Sequence, residues 1–190
     1  MIAIESFRKF HAIDIYFIVV LASFYLLLSF LSNAFLSPQF SYVVSLLAFT
    51  FLMALTVHLI RKAGSATLYG VFSGLFTLAI PDIGPVGETK FLVFLFAGLL
   101  FELFFVLLKL EFRNAQIDII AGAGMAAAAV PLFTGLLLSF PVVTANVSEM
   151  VNLMGLSLLT GTLGGLLSFG AWYKLRTVKS VLQFQYETLW

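Results

Sequence analysis

The sequence contains no cysteine, five prolines and two histidines, and charged residues make up only 10% of its 190 positions. Without cysteine, neither a disulfide framework nor a thiolate metal site can form. The two histidines, His11 and His58, stand in separate segments, and a metal pair would need two loops to meet, so no metal site is expected. The shortage of charge is the most restrictive absence. Soluble domains carry about 25% charged residues. A chain that is 62% hydrophobic, with a mean hydropathy of +1.10, lacks the polar surface to dissolve and takes lipid as its solvent. A net charge of +1 with no basic stripe excludes nucleic acid as a partner. Catalytic patterns are missing as well: there is no Gly-x-Ser-x-Gly, no His-Glu-x-x-His and no paired-aspartate cluster. No catalytic residue and no cofactor are assigned, and the chain is not expected to be an enzyme. The run Gly84-Pro-Val-Gly-Glu-Thr-Lys90 lacks the Gly-Lys-Ser/Thr order of a phosphate loop and the strand before it.

What is present is hydrophobic length. A spanning helix needs about 20 apolar residues, and six such runs occur, over residues 13–32, 42–60, 64–80, 91–110, 117–140 and 150–173. Turn-forming and polar breaks separate them: Ser37-Pro38-Gln39, Arg61 to Gly64, Pro81 to Lys90, Glu111 to Gln116, and Phe140-Pro141 to Glu149. The first run is too long for the core of a signal peptide and is read as a helix. The expected fold is therefore all-α, an integral membrane six-helix bundle forming one domain over residues 1–190. With the N-terminus inside, the cytoplasmic segments hold Arg8, Lys9, Arg61, Lys62, Lys109, Arg113, Lys174, Arg176 and Lys179, and the outer ones only Lys90. That bias places both the N- and C-termini in the cytoplasm of a multi-pass cell-membrane protein. Residues 1–12 and the tail 178–190 read as interfacial pieces, Trp172 and Tyr173 as an inner aromatic belt, and His58, near the cytoplasmic end of helix 2, as an interfacial histidine.

Small residues concentrate in the inner halves of helices 3, 5 and 6, among them Ala66, Gly70 and Gly74 on one face of helix 3, and Gly161 and Gly165 on helix 6. In lipid such residues let backbones approach closely. They predict tight packing within the bundle or a docking face for a partner helix. Polar and aromatic groups gather toward the outside, with Tyr42, Ser45 and Phe49 on one helical stripe and Pro131 inside helix 5, where it should bend the helix. A bundle pinched inside and splayed outside would hold an outward-opening cavity. Phe91–Leu108 is interrupted by a single acid, Glu102, which lies roughly 16 Å from the outer end of its helix. A carboxylate there costs on the order of 3 kcal/mol to insert and must face the bundle interior. Three roles fit: a protonated acid bonded across a helix interface, the floor of a ligand cavity with Gly98 leaving room above it, or part of a proton relay. Asp14 and Asp118 sit at helix starts and suit the helix dipole. Asn146-Val-Ser-Glu149 has the form of an N-cap with an acid three residues on, and of a glycosylation sequon.

The six-helix pattern, with Lys62-Ala-Gly-Ser-Ala-Thr-Leu-Tyr-Gly-Val-Phe-Ser-Gly74 and Ala97-Gly-Leu-Leu-Phe-Glu102, resembles the substrate-binding S components of energy-coupling factor (ECF) transporters, in particular their thiamine-precursor branch. The resemblance implies capture of a small vitamin or vitamin-precursor heterocycle from outside, with transport supplied by a transmembrane coupling subunit and two cytosolic ATPases. Loops 1, 3 and 5 would cap the pocket, bringing Asn33, Gln39, Tyr42, Glu88, Asn146 and Asn152 to it. Glu102 would lie at its base, and Tyr42 or Phe49 would stack on the ligand. Members of the family often carry Ala-x-x-x-Ala in helix 1 for docking the coupling subunit. Here Ala22 stands between Ile18 and Leu26, so Ala66, Gly70, Gly74, Gly161 and Gly165 are the substitutes expected. The alternatives are a membrane scaffold or assembly protein that binds a protein partner through its outer loops, and a small lipid-modifying enzyme.

Overall fold

The apolar runs fold as helices because nothing else satisfies backbone N–H and C=O groups in hydrocarbon. The structure, a computed structural model, describes residues 9–84, 86–108, 111–112, 115–139 and 147–178. Within them lie six helices: α1 (Ala12–Phe35), α2 (Pro38–Ile60), α3 (Ser65–Phe76), α4 (Glu88–Leu108), α5 (Ile117–Ser139) and α6 (Val147–Leu175). Two short strands, β1 (Glu111–Phe112) and β2 (Ala115–Gln116), pair antiparallel as a hairpin between α4 and α5. Asn146, Arg8, Lys109, Arg113, Lys179 and the interfacial segments over 1–8 and 179–190 lie outside the described residues.

Five helices are long and apolar enough to cross a membrane, which makes this a multi-pass membrane protein by length and composition. The third is not. Expected over 64–80, α3 stops at Phe76 after 12 residues, about 18 Å against a hydrocarbon core of about 30 Å. Thr77 ends it: its N–H and its hydroxyl both bond the Ser73 carbonyl, and Pro81 follows. The chain from Leu78 to Gly87 then turns back into the protein, burying Ile83 completely.

Helix α2 is apolar all round, and from Leu52 to Ile60 every residue is buried. Such a helix belongs in the middle of a bundle. It contacts α1, α3, α5 and α6, while α1, α3, α4, α5 and α6 follow one another around it. The end carrying Arg61 and Trp172 is called inner below, after the orientation expected from the basic residues, and the opposite end outer. At the centre Tyr25, Phe49, Tyr69 and Phe94, all fully buried, form one aromatic cluster, with Phe49 and Phe94 ring centroids 4.6 Å apart.

The small-residue faces are occupied within the chain. A Cβ at Gly70 would lie 2.5 Å from the Phe94 carbonyl oxygen, and one at Gly98 would lie 2.9 Å from the backbone of Ala66 and Thr67. The α3 and α4 backbones thus touch, and Gly74 packs on Phe91 and Phe94 of the same helix. On α6, a Cβ at Gly161 would meet the Ala123 carbonyl oxygen at 2.5 Å, and one at Gly165 the Cα of Ile120 at 3.0 Å. Ala66, Gly70, Gly74, Gly161 and Gly165 are therefore covered by α4 and α5, and a partner helix could reach them only by displacing these neighbours. Gly161→Val should destabilise the protein by about 1–3 kcal/mol through overpacking. Gly155→Ala, where an added Cβ meets nothing within 4 Å, should stay within about 0.5 kcal/mol of the parent. Unfolding in detergent followed by circular dichroism measures both.

Candidate functional site

The loop 77–87 is the centre of the outer half. Its one acid, Asp82, is buried, and its carboxylate accepts hydrogen bonds from Tyr25 Oη at 2.6 Å and from Ser29 Oγ. Lys90 Nζ pairs with the other carboxylate oxygen and donates to the Ile80 carbonyl at 2.6 Å. Both charged side chains are fully withdrawn from the surface. Serines extend the network toward the outer end: Ser32 Oγ donates to the Ser29 carbonyl at 2.9 Å and lies 2.7 Å from Ser45 Oγ. The sequence alone places Asp82 and Lys90 in the outer polar break from Pro81 to Lys90. In the structure they are a buried ion pair that fastens the loop to α1 and α4. Separating two such partners is expensive, because either one alone is an uncompensated charge in a low-dielectric interior.

Two residues beyond Asp82, Gly84 turns with φ 81 and forms one wall of a cavity of about 370 Å³. The other walls are Tyr42 from α2, Pro131 and Thr134 from α5, and Glu149 and Met150 from α6. Thr134 Oγ1 is buried there without a hydrogen-bond partner, and a Cβ at Gly84 would come 3.6 Å from it. Pro131 has no N–H to give the carbonyl one turn earlier in α5. Tyr42 hydrogen-bonds Ser157 across the helix gap at 2.8 Å. Its far side borders a second, apolar cavity of about 570 Å³ lined by Gln39, Phe40, Val43 and Leu156.

The expected site residues are thus distributed. Tyr42 and Gln39 line cavities; Asn33 and Asn152 are exposed on the surface; Glu88 borders a separate apolar recess of about 330 Å³ with Leu75 and Phe91. Asn146 lies outside the described residues. The stripe Tyr42, Ser45 and Phe49 splits among the cavity, the serine network and the aromatic core. Gly98 opens no space above Glu102, since α3 fills it. Glu102 itself reaches across to the start of α3: Oε1 accepts the Gly64 N–H at 2.6 Å and Oε2 the Ala66 N–H at 3.2 Å. Its carboxylate caps a neighbouring helix, well away from the cavity walls. Gly64, at φ 92, is the N-cap whose conformation turns that amide toward it. Next to it Lys62 pairs with Asp14 at 2.5 Å, both buried, and Asp14 also accepts the His11 N–H.

Thr134, Gly84 and Glu149 as cavity walls, and Asp82 with Lys90 as an anchor, escaped the sequence reading. A signal for the anchor existed: the one outer lysine follows an acid by eight residues, and Tyr25 and Ser29 stand one turn apart on α1. Among the described residues no group of three or more His, Asp or Glu side chains could hold a metal ion. No protein family, curated protein or solved structure matches this chain.

Glu102→Ala leaves the partly buried Gly64 amide and the buried Ala66 amide without this acceptor and should cost about 1–3 kcal/mol in total. Glu102→Gln keeps one acceptor oxygen and should cost less than Glu102→Ala. Lys90→Met should destabilise by about 3–5 kcal/mol, and the Asp82→Asn/Lys90→Met double variant by less than the sum of its singles, since together they remove both charges. A double-mutant cycle of unfolding free energies in detergent checks this; strict additivity would mean that the pair does not couple.

Proposed function

We propose that the chain is a cell-membrane protein crossing the bilayer with both termini cytoplasmic, and that it acts as the substrate-binding subunit of an ECF-type uptake transporter. In this reading it captures a vitamin-like heterocycle from the outside. A transmembrane coupling subunit and two cytosolic ATPases supply the transport. The observation that carries the proposal is the outer cavity. At about 370 Å³ it falls in the range of small-molecule sites, about 300–1,000 Å³. It combines an aromatic ring, an unpartnered hydroxyl and a carboxylate in a largely apolar lining, the composition by which such sites fix orientation without losing burial. The loop 77–87 and the first turns of α2 and α6 converge on it, which supports the expectation that the outer connections cap the pocket. Tyr42, kept from the sequence reading, supplies the stacking face. Thr134 and Glu149 take over the polar role first assigned to Glu102.

The test is the ligand itself. Protein purified gently from native membranes and then denatured should release a small heterocyclic molecule, identified by mass spectrometry. Tyr42→Ala and Thr134→Val should each lower its stoichiometry about tenfold, a loss of about 1.4 kcal/mol or more in binding. Tyr42→Phe, which keeps the ring and loses only the bond to Ser157, should retain most of it. Undiminished ligand in Tyr42→Ala and Thr134→Val would place binding elsewhere, and an empty protein that co-purifies with a polypeptide partner would favour the scaffold reading.

A further inference from the structure

The end of α3 and the start of α4 enclose the recess of about 330 Å³ bordered by Glu88, which shares no wall with the cavity beside Tyr42. Leu75, Leu78, Phe91 and Leu92 are its other walls, so Glu88 is its one polar group. Backbone contacts fix its shape. A Cβ at Gly74, next to Leu75, would come 3.2 Å from the Phe91 Cα, so the two helices touch there. Gly87, at φ 96, turns the chain so that its N–H bonds the Leu78 carbonyl at 2.9 Å. That bond seats the next residue, Glu88, beside the end of α3. Leu75 and Leu92 are 45% and 37% exposed, which leaves the recess open to the surroundings of the bundle. From Leu92 the exposed face of α4 continues through Phe96, Leu99 and Leu103 at successive turns toward the inner end.

The charge of this recess has no answer within the described protein. Glu88 is exposed and, among the described residues, has no hydrogen-bond or ion-pair partner. Lys90 is the one basic side chain described at the outer end, and its ammonium is committed to Asp82 and to the Ile80 carbonyl. A carboxylate over an apolar hollow in the wall of a membrane bundle complements one kind of amphiphile, a cationic head on a hydrocarbon chain. In lipid no hydrophobic effect drives the chain into a groove, so the headgroup must decide which molecule stays. A primary ammonium offers the carboxylate N–H donors for a charge-assisted hydrogen bond, whereas a quaternary ammonium offers none. We propose that the recess binds a phospholipid with a primary ammonium headgroup, its ammonium on Glu88 and one acyl chain running from the recess along Leu92, Phe96 and Leu99. A headgroup with a net negative charge would meet repulsion from Glu88. The proposal stands apart from the ligand reading, because the two spaces share no residue.

Native mass spectrometry of the full-length protein in detergent tests it, after equilibration with equal phosphatidylethanolamine, phosphatidylcholine and phosphatidylglycerol of the same acyl chains. The parent should retain phosphatidylethanolamine about threefold over each of the others, the scale of an exposed charge pair. Glu88→Gln should bring the three lipids to parity with far-ultraviolet circular dichroism unchanged, and Glu88→Asp, which keeps the charge, should preserve the order of preference. Leu75→Trp fills the recess while leaving the carboxylate in place, and should weaken the preference as well. The headgroup comparison on the parent needs no variant, so it decides the matter even where a variant does not fold. Equal retention of phosphatidylethanolamine and phosphatidylglycerol by the parent would overturn the proposal, and equal retention of phosphatidylcholine would remove the primary ammonium from it. Full preference in Glu88→Gln or in Leu75→Trp would place the lipid elsewhere and sink it. Displacement of the lipid by excess free ethanolamine alone would do the same, since the site would then bind a soluble amine.

Discussion

A backbone amide inside hydrocarbon has no water to bond, so each one left over by the helices must find a protein acceptor. Helix α3 makes that constraint acute. It is 12 residues long, about 18 Å against a hydrocarbon core of about 30 Å, so a helix begun at the inner turn stops short of the outer side. Glu102 of α4 accepts the first amides at one end, with the Lys62–Asp14 pair beside it tying the same turn to α1. At the other end the chain leaves the helix and is held by Asp82, bound by Tyr25, Ser29 and Lys90. Three of the chain's nine acids thus secure the two ends of one short helix. A carboxylate that is costly to bury is tolerated because what it accepts would be costlier still without it.

The shortness of α3 creates the outer site. Irregular backbone at membrane depth survives only when buried in protein or lining a cavity, and the loop 77–87 does both: Ile83 is wholly buried, while Gly84 forms a wall of the 370 Å³ space. Because Asp82 is two residues from Gly84, the ion pair that anchors the loop also sets the position of that wall. Anchor and cavity are consecutive along the backbone, so any motion that opened the cavity by lifting the loop would have to break or carry along the Asp82–Lys90 pair.

Much of this was legible in the sequence, and the rest was hidden for definable reasons. Runs of apolar residues located five of the helices to within a few residues, because in lipid length and hydropathy decide helix formation. The small residues of α3 and α6 announced close packing, and the backbones of α4 and α5 are what they pack on. Glu102 was recognisable as an acid that must face inward. Its partner was not, since the amides it caps exist as free donors only because α3 begins at Ser65, and a continuous apolar run conceals where a helix starts. The same concealment removed Leu78–Ile80 from helix 3. Asp82 and Lys90 looked like ordinary loop charges because burial of a loop depends on the helix before it being too short, a tertiary fact without local signature. Phe49 illustrates the opposite error: a shared helical stripe with Tyr42 does not imply a shared cavity, as residues two turns apart sit about 10 Å apart along the axis.

The location of the cavity follows from residue size along one helix pair. In the inner half, α5 presents Ala123, Ala126 and Ala127, all fully buried, and α6 presents Gly161 and Gly165, so the two axes close until backbone meets side chain. In the outer half the facing residues are Thr134 and Gly135 against Met150 and Leu153. Larger side chains there hold the helices apart, and Met150, unbranched and flexible, approaches the position of a Cβ on Gly135 through its sulfur at 3.3 Å and its terminal methyl at 3.4 Å. Meanwhile Tyr25, Phe49, Tyr69 and Phe94 fill the space among α1 to α4. A gradient of size from alanine and glycine to methionine and leucine therefore opens the bundle on the α5–α6 side. The aromatic cluster closes the interior among α1 to α4, which is why this space lies beside Tyr42 and Thr134 and not above Glu102.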